Sequence, residues 1–410
     1  MAAPVILPLA FAAPIEFDPK DDATRGTGVV PKIAQNYELH PTSKTQKRLQ
    51  GRGELRPTLD LKAYDCVAII DLIWIVVRAD RPICPKNLRI KIKTKTAHVK
   101  FVVHNSERTP DYPKGVLFKA LINEPTPGKV SDVLTAINSL DGIETDGELE
   151  VVEVSVDIYP KERTNENARL MMSDLLQRHI RPKESLWRYD GGWLRQVGAI
   201  KEPQFVIGNN IPDMGFNKHV GNAERHSCLQ VDKTKYFGAR DHGPAMIRVM
   251  HKTIDDQDRS KGILRVLAAG ERRSRTEVEL RREALDEIGL NRCDDLWGMD
   301  FQKTRVRFFE FCLPTLPLDG AGSLGEAVAT AKREMQLRVF QKSGVFGLSY
   351  FQHASVKFRN DLRRQKLRDD GVSTPLIRAG VGPAAQCIAF DELNRMFDRG
   401  LQKLSRAWRR

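Results

Sequence analysis

Hydrophobic and polar positions alternate in three stretches of the chain, and the cleanest is LEVVEVSVDIYPK. There Val152, Val154, Val156 and Ile158 share one face of a predicted strand, while Glu153, Ser155 and Asp157 share the other. RSRTEVELRREAL repeats the pattern, with Thr276, Val278 and Leu280 opposed to Arg275, Glu277, Glu279 and Arg281; a helix is expected to begin near Arg282. The third stretch, NLRIKIKTKTAHVKFVVH, predicts a strand with Leu88, Ile90 and Ile92 facing inward and Arg89, Lys91 and Lys93 outward. A continuous apolar run from Val67 to Val77 predicts a buried strand, and AMIRVMHK a further one. Helical spacing is expected over Ser131 to Leu140, capped by Ser131, and over NENARLMMSDLLQRHI, which Pro182 closes.

These elements predict an α+β fold, a central and largely antiparallel sheet with packed helices. Three regions are expected: a flexible basic arm over residues 1–62, a main domain over 63–315, and a helical basic region over 325–410. Within the main domain a hairpin is expected around Gly191 and Gly192, and a turn at DDQD.

Composition sharpens this picture through charge. The chain has 66 Lys and Arg against 53 Asp and Glu, a net charge of +13, which suits an anionic partner. Residues 331–410 hold 17 basic against 7 acidic residues and so carry +10 of that excess, making them the first place to expect phosphate contacts. The six cysteines lie far apart with no C-x-x-C pair, so neither a zinc site nor a disulfide framework is suggested. No apolar run reaches the roughly 20 residues a membrane helix needs, and Asp71 interrupts the nearest candidate. A cytoplasmic protein without a membrane partner is the expectation.

The candidate chemistry gathers three weak signals. Acids Glu153 and Asp157 share one strand face, Glu277 and Glu279 another, and KTKYFGARDH between them carries Tyr236 and Arg240. Two carboxylates four residues apart on a straight strand are about 13 Å apart, too far to chelate one ion, so a metal site would draw on neighbouring strands. A tyrosine oxygen can attack a phosphodiester and conserve the bond energy as a phosphotyrosine, provided that a metal and an arginine polarise the phosphate. Against this stand the plainer readings, a solvated acidic sheet face and an aromatic anchor in a turn.

In order, VEVSVDIY, then KYFGARD-x-x-P-AMIRVMHK, then RTEVELRREAL resembles the rolling-circle replication initiators of the replication initiation factor family, found in small plasmids and filamentous phages. The resemblance covers roughly residues 65–312 and rests on Glu153 and Asp157; Tyr236, Gly238 and Arg240; Ile247, Arg248 and Lys252; and Arg275, Glu277, Glu279 and Leu280. Glu153 stands where the family usually has Asp, Ala239 where it has Ser, and His251 where it has an aromatic residue.

The resemblance implies a relaxase- or initiator-like nuclease fold and a metal-dependent endonuclease that nicks one strand of a double-stranded origin. Tyr236 would be the nucleophile and Arg240 its electrostatic partner; Glu153, Asp157, Glu277 and Glu279 would hold Mg2+ or Mn2+. Arg248, Lys252 and Arg275 would grip DNA, with Lys91 and Lys93 on the basic sheet face. Implied partners are double- and single-stranded origin DNA, a host helicase and other replication proteins, with the chain acting alone or as a homodimer. A mobilisation relaxase with the same chemistry, a non-catalytic DNA-binding regulator and an RNA-binding factor are the alternatives.

Overall fold

The computed structural model describes residues 4–11, 32–42, 46, 49–104, 114–183, 195–197, 204–205, 226–238, 243–258, 263–318, 326–327, 329–349 and 387–409. Alternation builds its centre. Strand β8 (Leu149–Pro160) buries Val152, Val154, Val156 and Ile158, and β16 (Arg273–Arg281) lies antiparallel beside it with Val278 opposite Val154. On the far side of β16 runs β13 (Ala245–Lys252), followed by β12 (Thr234–Phe237), β10 (Arg195–Val197) and β11 (Gln204–Phe205).

On the other flank β8 pairs with the 20-residue β4 (Tyr64–Ile83), which pairs with β6 (Gly115–Asn123) and then β5 (Val99–His104) at the edge; the two-residue β7 (Ile143–Glu144) adds to β4. Every pairing in this sheet is antiparallel. The α+β class is borne out, with antiparallel sheets and no closed barrel.

One face of the sheet is apolar and carries helices. Helix α3 (Glu166–His179) places Met172, Leu175 and Leu176 in the main core, and its Ser173 hydroxyl meets that of Ser274 at 2.7 Å. Its cap is Asn165, whose side chain accepts from the Ala168 amide. The C-terminal helix α7 (Asp391–Ala407) lies along β4 and buries Leu393, Phe397, Leu401 and Leu404, an i, i+4 stripe, in the same core. The helix expected after residue 130 is α2 (Pro127–Asn138), started by Thr126 and a proline in its first turn rather than by Ser131. A short helix, α4 (Arg282–Ile288), follows β16 where expected and ends on Gly289 at φ 73°.

Several expectations are corrected. Residues 85–93 form helix α1 (Pro85–Lys93), not a strand. Leu88 and Ile92, four apart, are buried, whereas Ile90 is 55% exposed. Lys91 and Lys93 therefore sit in the last turn of a helix and not on a basic sheet face. Only the last third of that stretch is a strand, β5.

Residues 1–62 carry strands β1 (Val5–Pro8), β2 (Ala34–Pro41) and β3 (Arg52–Pro57), which pair onward to β17 (Phe309–Pro317) and β18 (Cys387–Ala389) as a second sheet; β9 (Ile180–Pro182) also pairs with β17. Burial of Leu7, Tyr37 and Leu55 against Leu316 and Phe340 ties this segment to the body. DDQD is not a turn but most of β14 (Ile254–Asp258), paired with β15 (Ile263–Val266). Helix α5 (Gln302–Phe308) precedes β17, and the C-terminal region is helical in α6 (residues 329–349) and in α7; α7 is a wall of the main core, so residues 63–315 do not close their core alone. The hairpin expected at Gly191 and Gly192 lies outside the described residues. No described helix is long and apolar enough to cross a membrane.

Candidate metal centre

The polar face of the same sheet follows from register. Glu153, Ser155 and Asp157 on β8 stand opposite Glu279, Glu277 and Arg275 on β16, and Glu277 in turn stands opposite Arg248 on β13. Arg248 faces Tyr236 on β12. Tyr236, Arg248, Glu277 and Ser155 thus form one cross-strand row, with Tyr236 two strands from Glu277, about 10 Å at ~4.8 Å per strand.

Strand β4 completes the site through a bulge. Ile70 pairs with Val154 and Leu72 with Glu153, which leaves Asp71 as an extra residue between two consecutive partners. The bulge changes the phase of the strand: Ala68 and Ile70 are core residues before it, Ile73, Ile75 and Val77 after it. Asp71 is thereby turned onto the polar face, where it joins Glu153 and Glu277 with one oxygen of each carboxylate within 4.8 Å of the others. Octahedral or looser oxygen coordination at about 2.0–2.6 Å puts ligand atoms up to about 5 Å apart, so the triad could hold a metal ion. Glu277 and Ser155 are both buried, and Glu277 Oε2 and Ser155 Oγ have no hydrogen-bond partner. Of these two oxygens Glu277 Oε2 faces the Arg248 guanidinium, while Ser155 Oγ is a lone buried hydroxyl of a kind rare in native interiors.

Arginines crowd the triad. Arg248 Nη2 donates to Glu153, and its Nε lies 2.7 Å from Glu277 Oε2 without hydrogen-bond alignment. Arg275, fully buried, grips Asp157 with Nε and Nη2, the latter at 2.7 Å, and reaches Glu277 at 3.2 Å and Asp71 at 3.3 Å through Nη1. Burial pushes the Glu153 carboxyl well above its usual range, and repulsion from Glu277 adds to this against the pull of Arg248. Burial would also raise Asp71, but Arg275, Lys252 and a hydrogen bond with Glu153 outweigh it and hold Asp71 below the carboxylate norm. The two carboxyls share a hydrogen bond and are shifted in opposite directions, Glu153 upward and Asp71 downward.

The sequence-derived residues divide accordingly. Glu153 and Glu277 belong to the triad. Asp157 is taken up by Arg275 and by Arg273 Nε at 3.0 Å, and Glu279 by Arg281 at 2.7 Å. Neither of these two joins the triad. Arg248 and Arg275 bind the carboxylates rather than standing free for DNA, and Lys252 lies in the field of Asp71. Tyr236 shares the face, held by a turn that needs glycine: Gly238 has φ 89°, and a Cβ there would come within 2.7 Å of the Ala245 carbonyl oxygen. Arg240 lies outside the described residues.

Asp71 was missed as a ligand because a bulge leaves no mark in an apolar run; its one signal was an acid where burial alone would forbid one. All six cysteines are free thiols. Comparison with protein-family models, curated proteins and solved structures finds no match to this chain.

Proposed function

We propose that the chain is a metal-dependent DNA-nicking protein that initiates rolling-circle replication, with Tyr236 as nucleophile. The observation that carries this reading is the row Tyr236, Arg248, Glu277 and Ser155, which sets a phenol and a carboxylate cluster on one sheet face. Tyr236 Oη bonds to phosphorus as the bond from phosphorus to the 3′ oxygen breaks; the leaving oxygen takes up the proton that the phenol gives to solvent. The products are a 5′-phosphotyrosine and a free 3′-hydroxyl, and the reverse reaction rejoins the strand.

Asp71, Glu153 and Glu277 would hold Mg2+ or Mn2+, which supplies a Lewis acid for the non-bridging oxygens. Arg248, between the triad and Tyr236, is placed to release Glu153 and turn to the scissile phosphate, because a bidentate guanidinium suits phosphate as well as carboxylate. Origin DNA and the host helicase are the partners this reading requires. A mobilisation relaxase would use the same residues.

A second reading is favoured by the pairing of Arg248 with Glu153 and Glu277: the cluster is a structural charge network in a non-catalytic DNA-binding protein. The two readings separate on supercoiled DNA carrying the protein's own coding region, incubated with Mn2+. Relaxation with a denaturant-stable protein–DNA adduct, lost in Tyr236→Phe, is expected. Equal behaviour of wild type and Tyr236→Phe would sink the assignment.

A further inference from the structure

Beyond Asp71 the outward face of the sheet changes character. Trp74 on β4, Leu121 on β6 and Phe101 on β5 form a second cross-strand row, with Lys119 and Val103 paired beside it. Within and beside this row Phe101 is 42% exposed, Val103 38% and Leu117 39%, while Trp74 is half-buried and Leu121 buried, so Phe101 is its open ring on a chain of net charge +13. Cations rim it: Lys119 Nζ lies 5.8 Å from the Trp74 ring centre, and Arg89 Cζ and Lys100 Nζ lie 5.2 Å and 5.9 Å from that of Phe101.

We propose that this row is a stacking platform for unpaired bases of a nucleic-acid strand, an inference that rests on reading the adjoining triad as a DNA-cutting site. Exposed aromatic rings interleaved with basic side chains are what a single strand needs, since each base offers a π-face and each linkage a phosphate. A rigid duplex, whose bases are stacked inward, has nothing to offer Phe101 or Trp74. Tyr236 and Phe101 lie on one face of the same sheet, on either side of the buried ionic cluster. From β12, which carries Tyr236, to β5, which carries Phe101, there are six strand steps, about 29 Å at ~4.8 Å each.

The competing occupant of an exposed sheet edge is another copy of the chain, added strand to strand. Strand β5 is built against that. Its pairing with β6 is interrupted between Val99 and Phe101, and the extra residue is Lys100, a bulged lysine of the kind that blunts edges.

The test uses the full chain carrying Tyr236→Phe in EDTA, so that binding is read without cleavage and its outcome does not depend on the nicking assignment. Fluorescein-labelled oligothymidylate of 12 nucleotides is titrated by anisotropy, with unlabelled duplex as competitor. Phe101→Ala should weaken binding about 5- to 150-fold, the span measured for removing one base–aromatic stack, while Phe101→Tyr restores it. Lys119→Gln should lower the salt dependence of binding. The proposal is overturned if Phe101→Ala binds as tightly as its parent, or if duplex competes as well as the single strand. It is also overturned if Phe101→Ala instead abolishes a concentration-dependent dimer seen by light scattering.

Discussion

The two halves of one sheet face solve burial in opposite ways. Over β13, β16 and β8, and at the bulge of β4, the outward positions are ionic, with Asp71, Glu153, Asp157 and Glu277 locked to Arg248, Arg273 and Arg275, and most of these groups are buried. Over β4, β6 and β5 they are aromatic and aliphatic, with cations at the rim, and several are exposed. Both halves share the same apolar underside, the core closed by α3 and α7. The underside therefore supplies the fold, and the outward residues are free to differ. Charges that are buried have to be mutually satisfied, whereas apolar groups that stay exposed cost little in the folded state and gain only when something covers them.

The sharpest way to break the ionic half is Arg275→Ala, which removes the one buried cation that joins Asp157, Glu277 and Asp71. A loss of about 3–5 kcal/mol is expected in urea unfolding, with no comparable loss for any single substitution in the aromatic half.

A perturbation that should weaken both halves alike comes next. His179, wholly buried, donates from Nδ1 to the Cys312 carbonyl (2.7 Å) and accepts at Nε2 from the Tyr37 hydroxyl (3.2 Å), and burial lowers its pKa to about 4. Its unfolded value lies near 6.5. Because the unfolded chain binds the extra proton, stability is fully present above pH 6.5 and falls as the pH drops toward 4, by at most about 3 kcal/mol. Urea titrations across that window should show a shallower slope in His179→Gln, and an unchanged slope would refute this assignment.

Metal addresses the ionic half alone. Mn2+ at a hundred times its dissociation constant should stabilise the chain by about 2.7 kcal/mol, and Asp71→Asn should remove that effect. An identical Mn2+ response in Asp71→Asn would show that the ion binds elsewhere. Gly238→Ala, which forces a side chain into a left-handed turn against Ala245, should cost about 1–3 kcal/mol and, on the proposed reading, lower adduct yield further than stability explains. Smallest of all, Phe101→Ala should move stability by no more than about 0.5 kcal/mol, since its ring is 42% exposed. A large loss there would mean that the aromatic half belongs to the core.

Legibility in the sequence followed the same division. Strand β8 could be read residue by residue because Val152, Val154, Val156 and Ile158 alternate with Glu153, Ser155 and Asp157, whereas β16, with Ser274 and Thr276 on its inward face, could be read either way. The segment at Leu88 and Ile92 could not be read residue by residue, because residues four apart share a face in a strand and in a helix alike, and Pro85 at the helix start decided it. The N-terminal strands were hidden by prolines, glycines and charges and are stabilised by long-range pairing with β17. In α7 the basic composition pointed to a partner outside the chain, while its apolar stripe was committed to the core. Glu153 and Glu277 were legible as members of the site, and Asp71 was not, because a bulge is a property of pairing and not of local pattern.

That bulge ties one functional group to chain length rather than to residue type. Excising Asp71 alone would let Ile70 run directly into Leu72 with the inside–outside order of both flanks intact, Ile70 and Ile73 still inward and Leu72 and Trp74 still outward. A carboxylate placed this way can be gained or lost by a single codon insertion or deletion, a route by which a silent sheet and a metal-binding one are one mutational step apart.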